Sequence, residues 1–293
     1  DSDEDSDEEK QEKQSAKKSP SAKDDNDAAQ SKSSEKKEQP QLVWSKYDFV
    51  PGDKVFFEDN QENEQNGEFP SRWDLNEGVA ENAVFDKVPV IYFKEPSTCI
   101  IPFIKNANKD YLPDIFTIEF DAWFEADEYC SYLIYFYDKK NQSESVIDLD
   151  ALQIEANQAV FHGISSGFYP GTDENDITSG FWRHVAISFN VRALKVYLDD
   201  ARVINIPNLG INPEGFTICC DNMNSVGAEG KNRFIKNIRI AQGGVKLYDK
   251  LIQDGKIVTN GIKFDVGKAT IKPESMGVIN TICQLMKEHT DLN

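Results

Sequence analysis

Residues 1–41 contain no aromatic residue and no leucine, isoleucine or valine. They are mainly Asp, Glu, Lys, Ser, Gln and Ala, and they open with the acidic block D-S-D-E-D-S-D-E-E. Such a segment cannot bury enough apolar surface to offset the entropy lost on ordering. We therefore expect a disordered acidic linker over residues 1–41, with an acidic tail that binds calcium or a partner as the alternative.

Long apolar runs and an excess of basic residues are also missing. No stretch of 18 or more apolar residues occurs, which argues against a membrane-spanning helix in this chain. The 32 lysines and arginines face 51 aspartates and glutamates, for a net charge of −19. Because binding to a phosphate backbone needs basic side chains, we expect no nucleic-acid partner. With 39% hydrophobic residues among 293, the chain can still build a sizeable core.

Spacings typical of metal clusters are absent as well. The five cysteines include no C-x-x-C pair, so each is expected to be a small buried side chain, with one disulfide as the alternative. The three histidines never occur in H-x-x-x-H or H-E-x-x-H spacing. His184 alternates with Val185 in a strand-like pattern, which favours a structural histidine whose polar atoms are satisfied.

Alternating apolar and polar residues dominate what remains, most clearly in residues 182–207. This stretch predicts a three-stranded meander with turns at 190–193 and 199–201, where Asn and Asp tolerate left-handed backbone geometry. Residues 116–125 and 132–138 are expected to form a long antiparallel pair. Further strands are predicted at 55–57, 83–86, 90–93, 100–104, 146–149, 152–155, 159–162, 216–220 and 234–240.

The meander also carries a family resemblance. The segment W-R-H-V-A-I-S-F-N followed by L-K-V-Y-L-D-D-A-R-V-I-N-I-P resembles the core of laminin-G-like and concanavalin-A-like jelly-roll modules. The resemblance covers residues 42–245 and implies a mainly β fold, a two-sheet antiparallel jelly-roll sandwich. Jelly rolls include lectins, glycosidases and adhesion modules, so the fold by itself leaves the function open.

An acidic step follows the first predicted strand. Glu58, Asp59 and Asn60 are adjacent and supply hard oxygen ligands of the kind calcium prefers, so a structural calcium ion is a hypothesis there, with a solvated acidic loop as the alternative. The segment from this step through G-E-F-P-S-R-W resembles the entry of jelly-roll modules in bacterial envelope proteins.

A second polar face is predicted in I-E-F-D-A-W-F-E. Glu119, Asp121 and Trp123 alternate with apolar residues and therefore share one face of a strand, a candidate ligand face. Glycosidases of the concanavalin-like fold carry paired carboxylates on such a strand. Here Glu119 and Glu125 would lie about 20 Å apart along a regular strand, whereas hydrolysis needs a separation of about 5 to 9.5 Å. We therefore expect no catalysis, with a divergent glycosidase as the remaining enzymatic alternative.

The pattern changes near the C-terminus. A strand is predicted at 257–264 and a helix at 273–288, begun by Pro273. The sequence G-I-K-F-D-V-G-K-A-T-I-K-P-E-S resembles the opening of the OmpA-like peptidoglycan-binding domain, over residues 254–293. The resemblance implies that Phe264 and Asp265 flank a peptide-binding pocket, although a packed Phe and a turn Asp are the plain alternative. The rest of the family's motif is missing, so we expect a truncated α/β fragment that binds peptidoglycan only with the missing part.

Together these features predict a non-catalytic protein of the Gram-negative cell envelope, in the outer membrane or periplasm. A jelly-roll module, as a spacer or as a binder of glycan or envelope protein, would be linked to a peptidoglycan-anchoring OmpA-like domain. A lectin-like carbohydrate-binding module is the alternative function. No cofactor is expected beyond the hypothetical calcium ion.

Overall fold

The computed structural model describes residues 48–104, 111–126, 130–136, 151–172, 179–221, 232–243 and, in the C-terminal part, 248, 251–252, 255–257, 259, 261–264, 267–272 and 275–290. The chain divides into two units, Asp1–Val43 and Trp44–Asn293. The linker predicted over 1–41 and the strand predicted over 146–149 lie outside the described residues. The predicted domain boundaries at 42–245 and 254–293 stay predictions.

The described part of the chain is built from antiparallel strands and a C-terminal helix. The elements are β1 Lys54–Asp59, β2 Trp73–Glu77, β3 Ala80–Phe85, β4 Val88–Phe93, β5 Thr98–Pro102, β6 Ile115–Phe124, β7 Ser131–Tyr135, β8 Leu152–Ile154, β9 Gln158–Phe161, β10 Ser165–Phe168, β11 Phe181–Asn190, β12 Ala193–Leu198, β13 Ala201–Ile206, β14 Thr217–Asp221, β15 Phe234–Gln242 and α1 Met276–Glu288.

Two sheets arise from these strands. Within the described ranges, an eight-stranded sheet, called sheet A, has the order β13-β12-β11-β6-β15-β4-β3, with β1 also paired to β15. A seven-stranded sheet, called sheet B, has the order β10-β9-β8-β7-β14-β5-β2. The mainly β, two-sheet antiparallel architecture expected from the alternating pattern is confirmed, and it is consistent with a jelly-roll sandwich.

The core lies between the sheets because alternate residues of each strand face inward. On β6, Phe116, Ile118 and Phe120 are fully buried. Burial of such a side chain is worth about 1.5–3 kcal/mol. Across the core, the ring of Tyr132 on β7 lies 5.5 Å from that of Phe124 in an edge-on contact. One continuous apolar cluster therefore holds the two sheets face to face.

The predicted meander is confirmed. β11 pairs with β12 and β12 with β13, all antiparallel. The first two-residue connection begins at Val191 with φ 58°, and the second begins at Asp199 with φ 48°. Positive φ is costly for a β-branched residue such as valine. The surrounding backbone holds it, since the Val191 amide donates to the Asp114 carbonyl at 2.7 Å.

The predicted pairing of residues 116–125 with 132–138 is wrong. β6 lies in sheet A between β11 and β15, whereas β7 lies in sheet B between β8 and β14. Both strands bury an alternating apolar face, and these faces meet across the core instead of edge to edge. Period-2 patterning indicates which face is buried but not which strand is the neighbour. Strand β2 was not predicted, although Trp73 and Leu75 alternate with polar residues in W-D-L-N-E, and β10 was not predicted because S-S-G-F lacks such an alternation.

The cysteines divide into two kinds. Cys99 and Cys219 are opposite each other on β5 and β14 and form a disulfide, with Cα atoms 4.1 Å apart. The expectation that each cysteine is a free buried side chain is therefore wrong for these two, and the alternative of one disulfide applies. Cys130 and Cys220 are buried thiols, in agreement with the expectation, whereas Cys283 is exposed, so the expectation of burial is wrong for it.

The outer face of sheet A is partly covered by both ends of the second unit. Phe49 is buried against Ala186 and Tyr197 on the outside of the meander. Helix α1 packs on the same side, because a Cβ at Gly277 would lie 2.0 Å from the Phe49 carbonyl oxygen. The predicted helix is present, but the strand predicted over 257–264 is reduced, within the described residues, to a bridge between Phe264 and Ile271. In the parts of the chain that the structure covers, no helix is long and apolar enough to cross a membrane.

Candidate functional site

A cavity of about 450 Å³ opens on the outer face of sheet A. Four parts of the fold line it: β1 with the residues on either side of it, strands β6 and β11 at the centre of sheet A, the bulge of β15, and the segment before α1. The lining residues are Pro51, Val55, Glu58, Asn60, Glu119, Asp121, His184, Asn237, Arg239, Lys263 and Lys272. We call this the sheet A cavity.

Glu119 forms the floor of the cavity. It lies on β6 between core-facing residues, yet its carboxylate is only 3% exposed because neighbouring chain covers it. Arg239 on β15 donates to its Oε1 at 2.8 Å, and Lys263 Nζ lies 3.4 Å from its Oε2. A buried carboxylate is costly unless paired. Two cationic side chains therefore pair with the buried Glu119 carboxylate.

Asp121, two residues further along β6, anchors a histidine. Its Oδ1 lies 2.7 Å from His184 Nδ1 on the paired strand β11. A carboxylate can only accept, so Nδ1 carries the proton. Asn237 donates to the other carboxylate oxygen at 2.7 Å. Asn237 reaches it from a β-bulge on β15, where the register with β6 shifts between Lys236 and Arg239 and Asn237 has φ 54°. Bulges commonly re-aim a side chain toward a site in this way.

His184 is one of the residues that line the cavity. Nε2 is buried and has no hydrogen-bond partner, and the nearest carboxylate oxygen, Glu119 Oε2, is 3.8 Å away. Burial by itself lowers the pKa of His184, but the hydrogen bond and negative charge of Asp121 outweigh it and raise the pKa above its ordinary value. When the ring is protonated, Nε2 becomes a donor that faces the Glu119 carboxylate.

Both β6 carboxylates in the cavity are hydrogen-bonded to basic side chains. Burial alone would raise the pKa of Asp121, but the hydrogen bond and charge of His184 lower it below its ordinary value. Glycoside hydrolysis requires one carboxyl held protonated as a general acid. Glu119 is paired with two cations, and Asp121 is held ionised.

The stretch G-I-S-S-G at 163–167 has nucleophile-elbow spacing, but it is the hairpin between β9 and β10 and lacks the strand-to-helix turn of an elbow.

Trp123 is set apart from the other two members of the predicted ligand face. Glu119 and Asp121 line the cavity, whereas Trp123 does not. Its ring packs edge-on against Phe85 at 4.8 Å and against Trp182 at 5.4 Å. Its indole N–H donates to Glu125 at 3.0 Å. Trp123 is therefore part of an aromatic cluster near one end of sheet A.

Of the three predicted calcium ligands, Asp59 points away from Glu58 and Asn60, because successive side chains alternate in direction along an extended chain. Asp59 is buried, and its oxygens accept from the Gln61 amide at 3.0 Å and the Trp73 indole at 2.7 Å. Glu58 and Asn60 instead line the sheet A cavity. Calcium binding by this set stays a prediction. Among the described residues, no group of three or more His, Cys, Asp or Glu side chains is arranged to hold a metal ion.

The predicted peptidoglycan residues fall at the edge of what is described. Phe264 is 51% exposed and forms its bridge with Ile271, which is 45% exposed. Asp265 lies outside the described residues. A peptidoglycan role for this pair stays a prediction.

Sequence reasoning missed His184, Asn237, Arg239 and Lys263 as members of the site. It also treated Glu58 and Asn60 as separate from Glu119 and Asp121, whereas all four line one cavity. The usable signal was a polar His184 beside the apolar run that begins at Val185 on β11. A buried polar residue on such a strand needs a partner, and that partner is Asp121.

Comparison with known proteins gives distant matches to solved structures alone. No family model matches the chain, and no curated protein matches it. The carbohydrate binding module CBM66 from Bacillus subtilis is 15% identical, with 58% of this chain and 96% of that chain covered and a TM-score of 0.38. The Emp47p carbohydrate recognition domain is 11% identical, with 67% and 95% covered and a TM-score of 0.38. The receptor binding domain of botulinum neurotoxin D is 12% identical, with 72% and 54% covered and a TM-score of 0.45.

Proposed function

We propose that this chain is a non-catalytic carbohydrate-binding module whose ligand site is the sheet A cavity. The observation that carries the proposal is the buried Nε2 of His184, which has no partner and lies at the wall of a polar cavity. An unpaired buried donor costs about 1–3 kcal/mol. A ligand hydroxyl that accepts from it would recover that free energy on binding.

The composition of the cavity favours a neutral ligand rich in hydroxyl groups. Three carboxylates, from Glu58, Glu119 and Asp121, are balanced by basic side chains on the same wall. A strongly anionic or cationic ligand would meet repulsion from one of the two sets. Carboxylate, amide and guanidinium groups can each accept or donate two hydrogen bonds in a fixed plane, which suits neighbouring hydroxyls of a sugar ring. The volume lies within the range of about 300–1,000 Å³ typical of small-molecule sites.

A glycan array followed by calorimetry with the best neutral oligosaccharide tests this proposal. The variant His184→Gln is expected to weaken binding by about ten- to a hundredfold, from the loss of one charge-assisted hydrogen bond of about 1.5–3 kcal/mol. His162→Gln is the matched control, since His162 is exposed on sheet B and bonds Gln153 at 2.9 Å. Wild-type protein with an intact fold that binds no glycan would refute the proposal, as would equal losses in both variants.

A second candidate is an anchor in the Gram-negative envelope that attaches to peptidoglycan, with the sandwich as its spacer. Two observations favour it. The OmpA-like sequence pattern coincides with a bridge at Phe264 followed by helix α1. The Cys99–Cys219 disulfide suits the periplasm or another oxidising compartment. Co-sedimentation with purified sacculi tests it, with the double variant Phe264→Ala and Asp265→Asn expected to leave the pellet. If the double variant still pellets with the sacculi and His184→Gln does not, binding is assigned to the sheet A cavity instead.

A further inference from the structure

A second cavity, of about 390 Å³, lies between the loop that follows β1 and strand β3. We call it the loop cavity. Its polar lining comes from Gln61, Glu62, Asn63, Glu64, Asn66 and Asn82. It has no lining residue in common with the sheet A cavity, so the proposed function does not use it.

Two of these side chains present buried oxygens that nothing in the protein satisfies. Gln61 is 4% exposed and Asn82 is 3% exposed, and Gln61 Oε1 and Asn82 Oδ1 both lack a hydrogen-bond partner. Most buried polar atoms in folded proteins are paired. Two unpaired acceptors at one cavity therefore indicate a missing donor or cation.

The orientation of both amides follows from their other contacts. Asn82 Nδ2 donates to the Glu68 carbonyl at 3.1 Å and to Glu64 Oε2 at 3.3 Å. Gln61 Nε2 donates to the Asp59 carbonyl at 3.2 Å. Flipping either amide would set an oxygen against these acceptors. The unpaired atoms are therefore oxygens, and an acceptor atom can be satisfied only by a donor or a cation.

The charge around the loop cavity favours a cation. Residues 59–71 contain four carboxylates, at positions 59, 62, 64 and 68, and no lysine, arginine or histidine. Glu62 is exposed, and the carboxylate of Glu64 is fixed by Ser71 and Asn82. Carboxylate and amide oxygens without nitrogen or sulfur ligands suit a hard cation, and a flexible loop of mixed oxygens suits calcium better than magnesium.

We propose that the loop cavity binds one calcium ion, with Gln61 Oε1, Asn82 Oδ1 and the carboxylates of Glu62 and Glu64 as ligands. Asp59 and Asn60 are not ligands in this proposal, but their side chains hold the backbone of the ligand residues. The Asp59 carboxylate accepts from the Gln61 amide, and Asn60 Oδ1 accepts from the Glu62 amide at 3.2 Å. The ion would join the loop to β3, whose Asn82 amide already donates to the Glu68 carbonyl at 2.8 Å.

Titration calorimetry of the EDTA-stripped protein with calcium chloride, up to about 10 mM, tests the proposal. One equivalent of calcium is expected to bind and to raise the melting temperature. Glu62→Gln, an exposed change that leaves the fold intact, is expected to weaken binding by about tenfold or more. Glu58→Gln is the matched control, because Glu58 lines the sheet A cavity, and it is expected to bind calcium as the wild type does.

A second variant should strengthen calcium binding instead of weakening it. Gln61→Glu places a carboxylate where the unpaired amide oxygen lies, so it should lower the melting temperature in EDTA and tighten calcium binding. Absence of calcium binding in the wild type would overturn the proposal, and so would equal weakening by Glu58→Gln and Glu62→Gln. Magnesium binding as tight as that of calcium would overturn the choice of ion.

Discussion

The disulfide between Cys99 and Cys219 is expected to be a major contributor to the stability of the sandwich. It links β5 to β14 across a sequence separation of 120 residues. The chain-entropy relation gives about 4.9 kcal/mol of stabilisation for a loop of that length. Because native disulfides are measured at about 2–5 kcal/mol, the double variant Cys99→Ala and Cys219→Ala should lose a free energy of unfolding within that range.

Urea denaturation followed by tryptophan fluorescence measures this loss. The double variant should unfold at a lower urea concentration with an m-value at least as large, because its unfolded chain is less compact. Its melting temperature should fall by about 5–20 °C. Reduction of the wild type with dithiothreitol should reproduce the loss, and reduction of the double variant should add nothing. Cys283→Ala, at an exposed position, is the control. Equal urea midpoints for wild type and double variant would refute the reasoning.

Three further predictions concern contacts on the outer face of sheet A. The pKa of His184 is raised in the folded state, so its pairing with Asp121 stabilises the fold fully below pH 6.5, the ordinary pKa, and less as the pH rises through the folded pKa. The urea midpoint of the wild type should therefore fall from acidic to alkaline pH. The midpoint of His184→Gln should depend less on pH. Gly277→Ala should destabilise the protein, although alanine favours helices by about 1 kcal/mol, because the new Cβ meets the Phe49 backbone; an unchanged melting temperature would contradict this packing. Arg239→Ala should cost about 3–5 kcal/mol by leaving a buried carboxylate on β6 short of a cation, whereas Arg239→Lys should recover part of that loss.

The sequence predicted the strands well where local chemistry decides them. The meander at 182–207 is an example, because alternation sets the buried face and Asn190 and Asp199 sit at its turns. Strand partners were not predictable in the same way. β6 and β7 carry similar patterns and are close in sequence, yet they belong to opposite sheets, since the hydrophobic period is the same for either partner.

The candidate site was predictable only in part for the same reason. Outward carboxylates on β6 were recognised from alternation, so Glu119 and Asp121 were predicted as a polar face. Their partners, His184, Arg239 and Lys263, come from strands and segments whose neighbours depend on register. The bulge that brings Asn237 to Asp121 leaves no mark in the local pattern. Glu58 and Asp59 point to opposite faces of β1, because neighbouring residues on a strand alternate in direction, and calcium binding by Glu58, Asp59 and Asn60 stays a prediction.

Lys263 and Lys272 form part of the wall of the sheet A cavity, and this links ligand binding to the docking of their segment. Both residues belong to the segment that precedes helix α1, and the rest of the wall belongs to the sandwich and its entry. A ligand that touches both parts binds more tightly when the segment is docked, so binding and docking must favour each other by the same free energy. A force that pulls the segment away from the sheet would then weaken ligand binding, and a bound ligand would raise the force needed to detach the segment.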